Sequence, residues 1–160
     1  MKQRRWIAWI LAVVMAACLL AGCGLGSEAS LLALDYASIN RMLKEDGLEV
    51  TVSSDDTLNQ AVAEAAQALD GAEREESESD AVKTQIARQT GTMPLICEAY
   101  DRAYWPNAPL GNPDRHEKTM VSFAQQLYEG GNGRSYTAAL AGFTTKDGDR
   151  MLLLVMSKGR

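Results

Sequence analysis

The chain of 160 residues holds a single histidine, His116, within Arg115-His116-Glu117-Lys118. As a general base it needs a partner carboxylate and a cleft, and as a metal ligand it needs further ligands. Its charged neighbours suit a surface histidine better than either role. Glu98 and Asp101, three residues apart, offer a pair of carboxylates, but that spacing is too common to specify acid–base chemistry. Cys97 lies in the apolar run Leu95-Ile96-Cys97 and reads as a small buried hydrophobe in preference to a nucleophile. Next to it, Tyr100-Asp101-Arg102-Ala103-Tyr104-Trp105-Pro106-Asn107 gathers three aromatics, Tyr100, Tyr104 and Trp105, at the entry to a proline-rich stretch. Aromatics with a polar tip suit contact with a glycan or peptide, because they bring large area at small entropy cost. The alternative is a loop pinned to the core by Trp105. Gly130-Gly131-Asn132-Gly133 lacks the Lys-Ser/Thr that completes a phosphate loop, and no Gly-x-Ser-x-Gly elbow occurs. With no cysteine–histidine cluster for zinc, and no glycine in the acidic run Ala72–Asp80 to shape a calcium loop, neither a metal nor a cofactor is expected.

These groups need elements to hold them. Leu32, Tyr36, Ile39 and Leu43 recur at helical spacing and predict a first helix over Leu31 to Glu45, ended by Gly47. Leu48 to Val52 reads as a short extended stretch. Ser54, Asp55 and Asp56 offer N-cap oxygens for a second helix, Thr57 to Asp70, whose inner stripe is Leu58, Ala61, Val62, Ala65 and Leu69. Ala72–Asp80 reads as a solvated linker or an exposed helix end, and Ala81 to Gln89 as a weak third helix with Val82 and Ile86 facing in. Met93 to Tyr100 fits a strand that Pro94 restricts to a beginning or an edge. Asn112-Pro113 suits a helix start, the helix running to about Tyr128 with Met120, Phe123, Ala124 and Leu127 inward. Tyr136–Thr145 and Arg150–Ser157 flank Lys146-Asp147-Gly148-Asp149, a hairpin in which Asp-Gly suits a tight primed turn. Met151 to Met156 is apolar on both alternating sets, so that strand needs cover on both faces. Helices before such a strand predict an α+β domain over residues 31–160, a three-layer α-β-α sandwich closed by a C-terminal antiparallel hairpin.

The N-terminus has a different character. Lys2, Arg4 and Arg5 precede fifteen unbroken apolar residues, Trp6–Leu20, a length that fits a signal-peptide core and falls short of the ~20 residues of a spanning helix. Leu20-Ala21-Gly22-Cys23 follows and resembles the bacterial lipobox. That resemblance implies a signal peptide over 1–22, cleavage after Gly22, acyl chains on the sulfur of Cys23 and a short tether over 23–30. It implies an envelope protein held by lipid on the outer side of the cytoplasmic membrane or in the outer membrane. Removing Lys2, Arg4 and Arg5 leaves 13 basic against 21 acidic side chains, a formal charge of −8. A body so acidic repels a nucleic-acid duplex, which excludes binding by charge.

Two further stretches carry a second resemblance. Ser38-Ile39-Asn40-Arg41-Met42-Leu43-Lys44-Glu45-Asp46-Gly47-Leu48, then Asp56-Thr57-Leu58-Asn59-Gln60-Ala61-Val62-Ala63-Glu64-Ala65-Ala66, resemble the opening of the CAP superfamily, the SCP-like or cysteine-rich secretory protein group. The late helix at Lys118–Leu127, Ala141-Gly142-Phe143 and the final apolar strand fit that group loosely. The resemblance implies an α-β-α sandwich. Its central cleft of two histidines and two acids is not matched: no histidine directly follows the second helix, His116 precedes the later helix instead of lying in a Ser-x-x-His turn after it, and Glu98 lacks the flanking Gly and Asn of the family's Gly-Glu-Asn. No catalytic or metal site is therefore carried over. The expected function is a lipid-anchored binding or accessory module with an envelope protein or glycan as partner. The alternative is an envelope hydrolase acting on peptidoglycan or peptides through Glu98, Asp101 or His116.

Overall fold

Aspartate oxygens start the first two long helices. Asp35 Oδ1 accepts from the Ser38 amide at 3.0 Å, and Asp55 Oδ1 accepts from the Leu58 amide at 2.8 Å, each satisfying an amide that the first helical turn leaves without an internal partner. The structure, a computed structural model, describes residues 29–77, 80–102 and 115–159. Its elements are β1 (Ser30–Leu31), α1 (Tyr36–Glu45), β2 (Thr51–Ser53), α2 (Asp56–Leu69), α3 (Arg74–Ser77), α4 (Asp80–Thr90), β3 (Ile96–Asp101), α5 (Arg115–Glu129), β4 (Ser135–Thr144) and β5 (Arg150–Lys158). The protein is thus a mixed α+β structure with an antiparallel C-terminal hairpin.

The first helix is shorter than its periodicity suggests. Ser30 and Leu31 are strand, paired antiparallel with Gly142 and Ala141, and the Leu32 amide donates to the Leu140 carbonyl at 2.8 Å. Leu32 therefore reaches the core from a strand extension, and the Asp35 cap marks the true helix start. Apolar spacing alone does not distinguish these, because an extended residue just before a helix can cover the same face.

The sheet has the order β1-β4-β5-β3, with β2 added to β4. β1 and β2 occupy opposite ends of β4: β1 meets Ala141 and Gly142, and β2 runs parallel beside Ser135 to Thr137. β4 and β5 are joined through nine Cα pairs, from Thr144↔Arg150 to Tyr136↔Lys158. Their connection is not the two-residue primed turn expected of Asp-Gly. The Gly148 amide donates to the Thr145 carbonyl at 2.9 Å, Gly148 has φ +87°, and the Thr145 amide donates to the Asp149 carbonyl at 2.9 Å. This is the three-residue connection, a turn followed by a glycine in the left-handed region. The Thr145 hydroxyl also accepts from the Asp149 amide at 3.1 Å, which draws the closing pair one residue inward of the Lys146–Asp149 tetrapeptide.

β5 is buried over seven consecutive residues, Met151 to Ser157, because apolar clusters form on both of its sides. Leu152, Leu154 and Met156 join Ala138 and Leu140 of β4, Ile39 and Leu43 of α1, and Met120, Ala124 and Leu127 of α5. Met151, Leu153 and Val155 join Ala139, Ala141 and Phe143 of β4, the Leu58–Leu69 stripe of α2, and Val82 and Ile86 of α4. The period of two along each strand sends alternate side chains into different clusters. The alanines at 61, 65 and 66 of α2 and at 139 and 141 of β4 keep the second contact close. Pro94 precedes β3, which ends the strand order among the described residues, in keeping with a proline restricted to a strand beginning or an edge.

Candidate functional site

The sequence candidates fall mostly on β3 and on the first turn of α5. β3 pairs with β5 over six residues, Ile96↔Met156 to Asp101↔Met151. Ile96 and Tyr100 pack with the first cluster, Cys97 and Ala99 with the second. Tyr100 lies over α5, its ring centroid 6.3 Å from that of Phe123 at a 31° tilt. Its hydroxyl donates to Glu98 Oε2. Burial pushes the Tyr100 phenol well above its ordinary value, and the hydrogen bond to Glu98 and the carboxylate charge add to the effect. Tyr100 therefore stays protonated and donates at every physiological pH.

Glu98 and Asp101 do not form a carboxylate pair. Glu98 is engaged by Tyr100, whereas Asp101 Oδ2 lies 3.8 Å from Arg74 Nη1, which is also 3.8 Å from Asp149. A separation of three places two side chains on one face of a helix but on opposite faces of a strand. The acidic run therefore contributes one useful cation, Arg74 of α3, to the ends of β3 and β5.

His116 departs from the expected surface setting. It is half-buried, between Arg115 at 9% and Glu117 at 8% exposure. Glu117 Oε1 accepts from the Asp35 amide at 3.1 Å, tying the first turn of α5 to the start of α1. Burial lowers the His116 pKa, the charges of Arg115 and Arg102 lower it further, and Glu117 opposes them. The net effect favours the neutral imidazole. Glu117 is the residue sequence reasoning missed: a charged side chain in a first helical turn gives no local sign that it will be buried.

Cys97 is half-buried, and burial is the main reason its thiol is pushed up to about 11, with Lys83 lowering and Glu98 raising it. At pH 8 only about one thiol in a thousand is then ionised, so alkylation by iodoacetamide is expected to run ~100-fold slower than for an unperturbed thiol of pKa 9.0. The rate should climb tenfold per pH unit up to pH 10. A rate at pH 8 equal to that of free cysteine would show the thiolate to be stabilised and would reopen a nucleophilic role.

A concave feature lies elsewhere, at the hairpin end of the sheet. A cavity of about 310 Å³ is lined by Ser30, Leu32, Arg102, Gly142, Phe143, Thr144, Arg150, Met151 and Leu152. β1 forms one wall, and the ends of β3, β4 and β5 form the rest. Arg102 follows Asp101, Arg150 precedes its partner Met151, and both arginines line this one groove. Glu98, Tyr100, Asp101 and His116 do not line it. Tyr104, Trp105, the cleavage position Gly22 and the lipidation candidate Cys23 lie outside the described residues. Among the described residues no three His, Cys, Asp or Glu side chains gather to hold a metal, and no helix is long and apolar enough to cross a membrane. The groove was missed in the sequence because its lining comes from four separate strand segments. Comparison with family models, with curated proteins and with solved structures gives no match for this chain.

Proposed function

We propose that this chain is a cell-envelope lipoprotein, anchored through acyl chains on Cys23, whose α+β body is a binding or accessory module. The anchoring half rests on Leu20-Ala21-Gly22-Cys23 behind a basic start and a fifteen-residue apolar run. Two or three acyl chains give stable anchoring because each buried methylene contributes ~0.8 kcal/mol. The binding half rests on one observation: the cavity of about 310 Å³ is lined by two arginines and hydroxyls, while the acid, base and thiol candidates stand apart from it. Among the described residues the groove's lining holds donors and no nucleophile–base pair, which supports a binding role.

The finer architecture belongs to this proposal. Apolar clusters on alternate residues of β4 and β5, one with α1 and α5 and the other with α2 and α4, support a three-layer α-β-α arrangement. The same layering supports a degenerate CAP-like body, with the Ile39-Asn40 helix first and the apolar strand last.

Cys23→Ser removes the only sulfur at the proposed cleavage site. The expected outcome is loss of the acylated N-terminal peptide by mass spectrometry and a shift of the protein from the detergent phase to the aqueous phase on Triton X-114 partition. A wild-type chain that carries a bare Cys23 thiol behind an intact 1–22 segment would overturn the anchoring.

A further inference from the structure

We infer that the groove at the hairpin end of the sheet binds a phosphate ester, held by Arg102 and Arg150; the inference rests on the binding-module reading and names its ligand class. The charge pattern is the starting point. Without the N-terminal segment the chain has 13 basic and 21 acidic side chains, so a groove lined by two arginines and no acid among the described residues is out of character for the body. Beside the same strand ends, Arg74 lies 3.8 Å from both Asp101 and Asp149. In the groove, Arg102 and Arg150 are exposed, line one cavity, and form no ion pair among the described residues. Two guanidinium groups lining one groove raise the positive potential there, and an anion bound in it lowers that potential.

Donor number selects the anion. One guanidinium fork already satisfies both oxygens of a carboxylate. Two forks, with the hydroxyl of Ser30 on the β1 wall, match the three or four oxygens of a phosphate. Size selects an ester over the bare ion, since about 310 Å³ falls at the lower edge of small-molecule sites, ~300–1,000 Å³. Leu32 and Leu152 supply apolar lining for the organic part. The floor at Gly142 has no side chain, and a Cβ added there would meet only the Met151 carbonyl oxygen, at 3.9 Å. Ser30 stands seven residues after Cys23, an extended reach of roughly 25 Å. With the proposed anchor at Cys23, both bilayer phosphate headgroups and soluble phosphate esters are candidate sources of the ligand.

The test uses the full-length chain in neutral detergent micelles. One arm titrates glycerol phosphate by calorimetry, and the other adds phosphatidylglycerol to the micelles and reads the same heat. Saturable binding in either arm is expected, weakened by about tenfold or more in both Arg102→Gln and Arg150→Gln, as for the loss of a charged hydrogen bond. Gly142→Leu should weaken it as much by filling the floor, while Arg88→Gln on α4 should leave it unchanged. Binding in the first arm identifies a soluble ester, and binding confined to the second identifies the membrane headgroup. Thermal melting of each variant shows whether it is folded. No binding in either arm, or binding that all three groove substitutions leave intact, overturns the inference. The mass of the Cys23 peptide in the same preparation reports the anchoring separately, so a bare thiol with intact groove binding would sink the lipoprotein reading alone.

Discussion

Leu154→Ala is expected to lower the unfolding free energy by ~2–5 kcal/mol, read from urea denaturation followed by far-UV circular dichroism. Leu154 is 0% exposed at the middle of β5, paired with Leu140 on one side and Glu98 on the other. Its side chain enters the cluster that joins the sheet to α1 and α5. Truncation removes its transfer free energy and leaves a cavity that neighbours on two strands and two helices cannot close without shifting together. Domains of this size carry about 5–15 kcal/mol in all, so the midpoint should fall severely while the slope against urea stays constant. A loss under about 1 kcal/mol would mean that β5 is not covered on this side.

Asn40→Ala is the second large effect, at roughly 2–4 kcal/mol, for a different physical reason. The Asn40 side chain bonds both polar groups of one residue: its Nδ2 donates to the Val52 carbonyl at 2.9 Å, and its Oδ1 accepts from the Val52 amide at 2.8 Å. β4 flanks β2 on one side, and the carboxamide stands in for a neighbouring strand on the other. Val52 is 1% exposed, so water cannot replace the lost partners. Alanine leaves one donor and one acceptor buried and unsatisfied. Asn40→Asp separates the two bonds. At pH 7 a carboxylate still accepts from the Val52 amide but cannot donate to the carbonyl, so most of the loss should remain. Protonation below the ordinary carboxylate range of about 4 restores a donor, so the deficit relative to the parent should shrink as the pH falls. A deficit that grows toward low pH, or no deficit at neutral pH, would show that the double hydrogen bond does not hold β2 in place.

These two substitutions differ in how far the sequence foretold them. The burial of Leu154 was legible in the Met151–Met156 run, because a strand apolar at both alternating sets has no side fit for water. The role of Asn40 was not: its position in the first helix says nothing of a strand twelve residues later, and the bond exists only once α1 packs beside β2. The same limit hid Glu117, whose carboxylate takes the Asp35 amide from 82 residues away. It also split Glu98 from Asp101, since the separation of three acquires its meaning only when the backbone is known to be extended.

What the sequence determined by itself is whatever a short window of residues decides. Apolar periods of 3.6 and 2 placed α2, α4, α5 and the hairpin strands close to their observed bounds, with Asp55 and the glycine of the turn marking where elements change direction. Tertiary structure decided the rest. The two-residue β1 has no period to read, and the stretch read as extended over Leu48 to Val52 is strand only over Thr51–Ser53, where it pairs with β4. The β1–β4 pairing brings Ser30 against Gly142, and the β3–β5 pairing ends at Asp101 and Met151, so Arg102 and Arg150 line one groove that is a property of the sheet's register. Backbone hydrogen bonds between strands carry no residue code, so which strand ends meet is settled by how the two apolar clusters close on either side of β5.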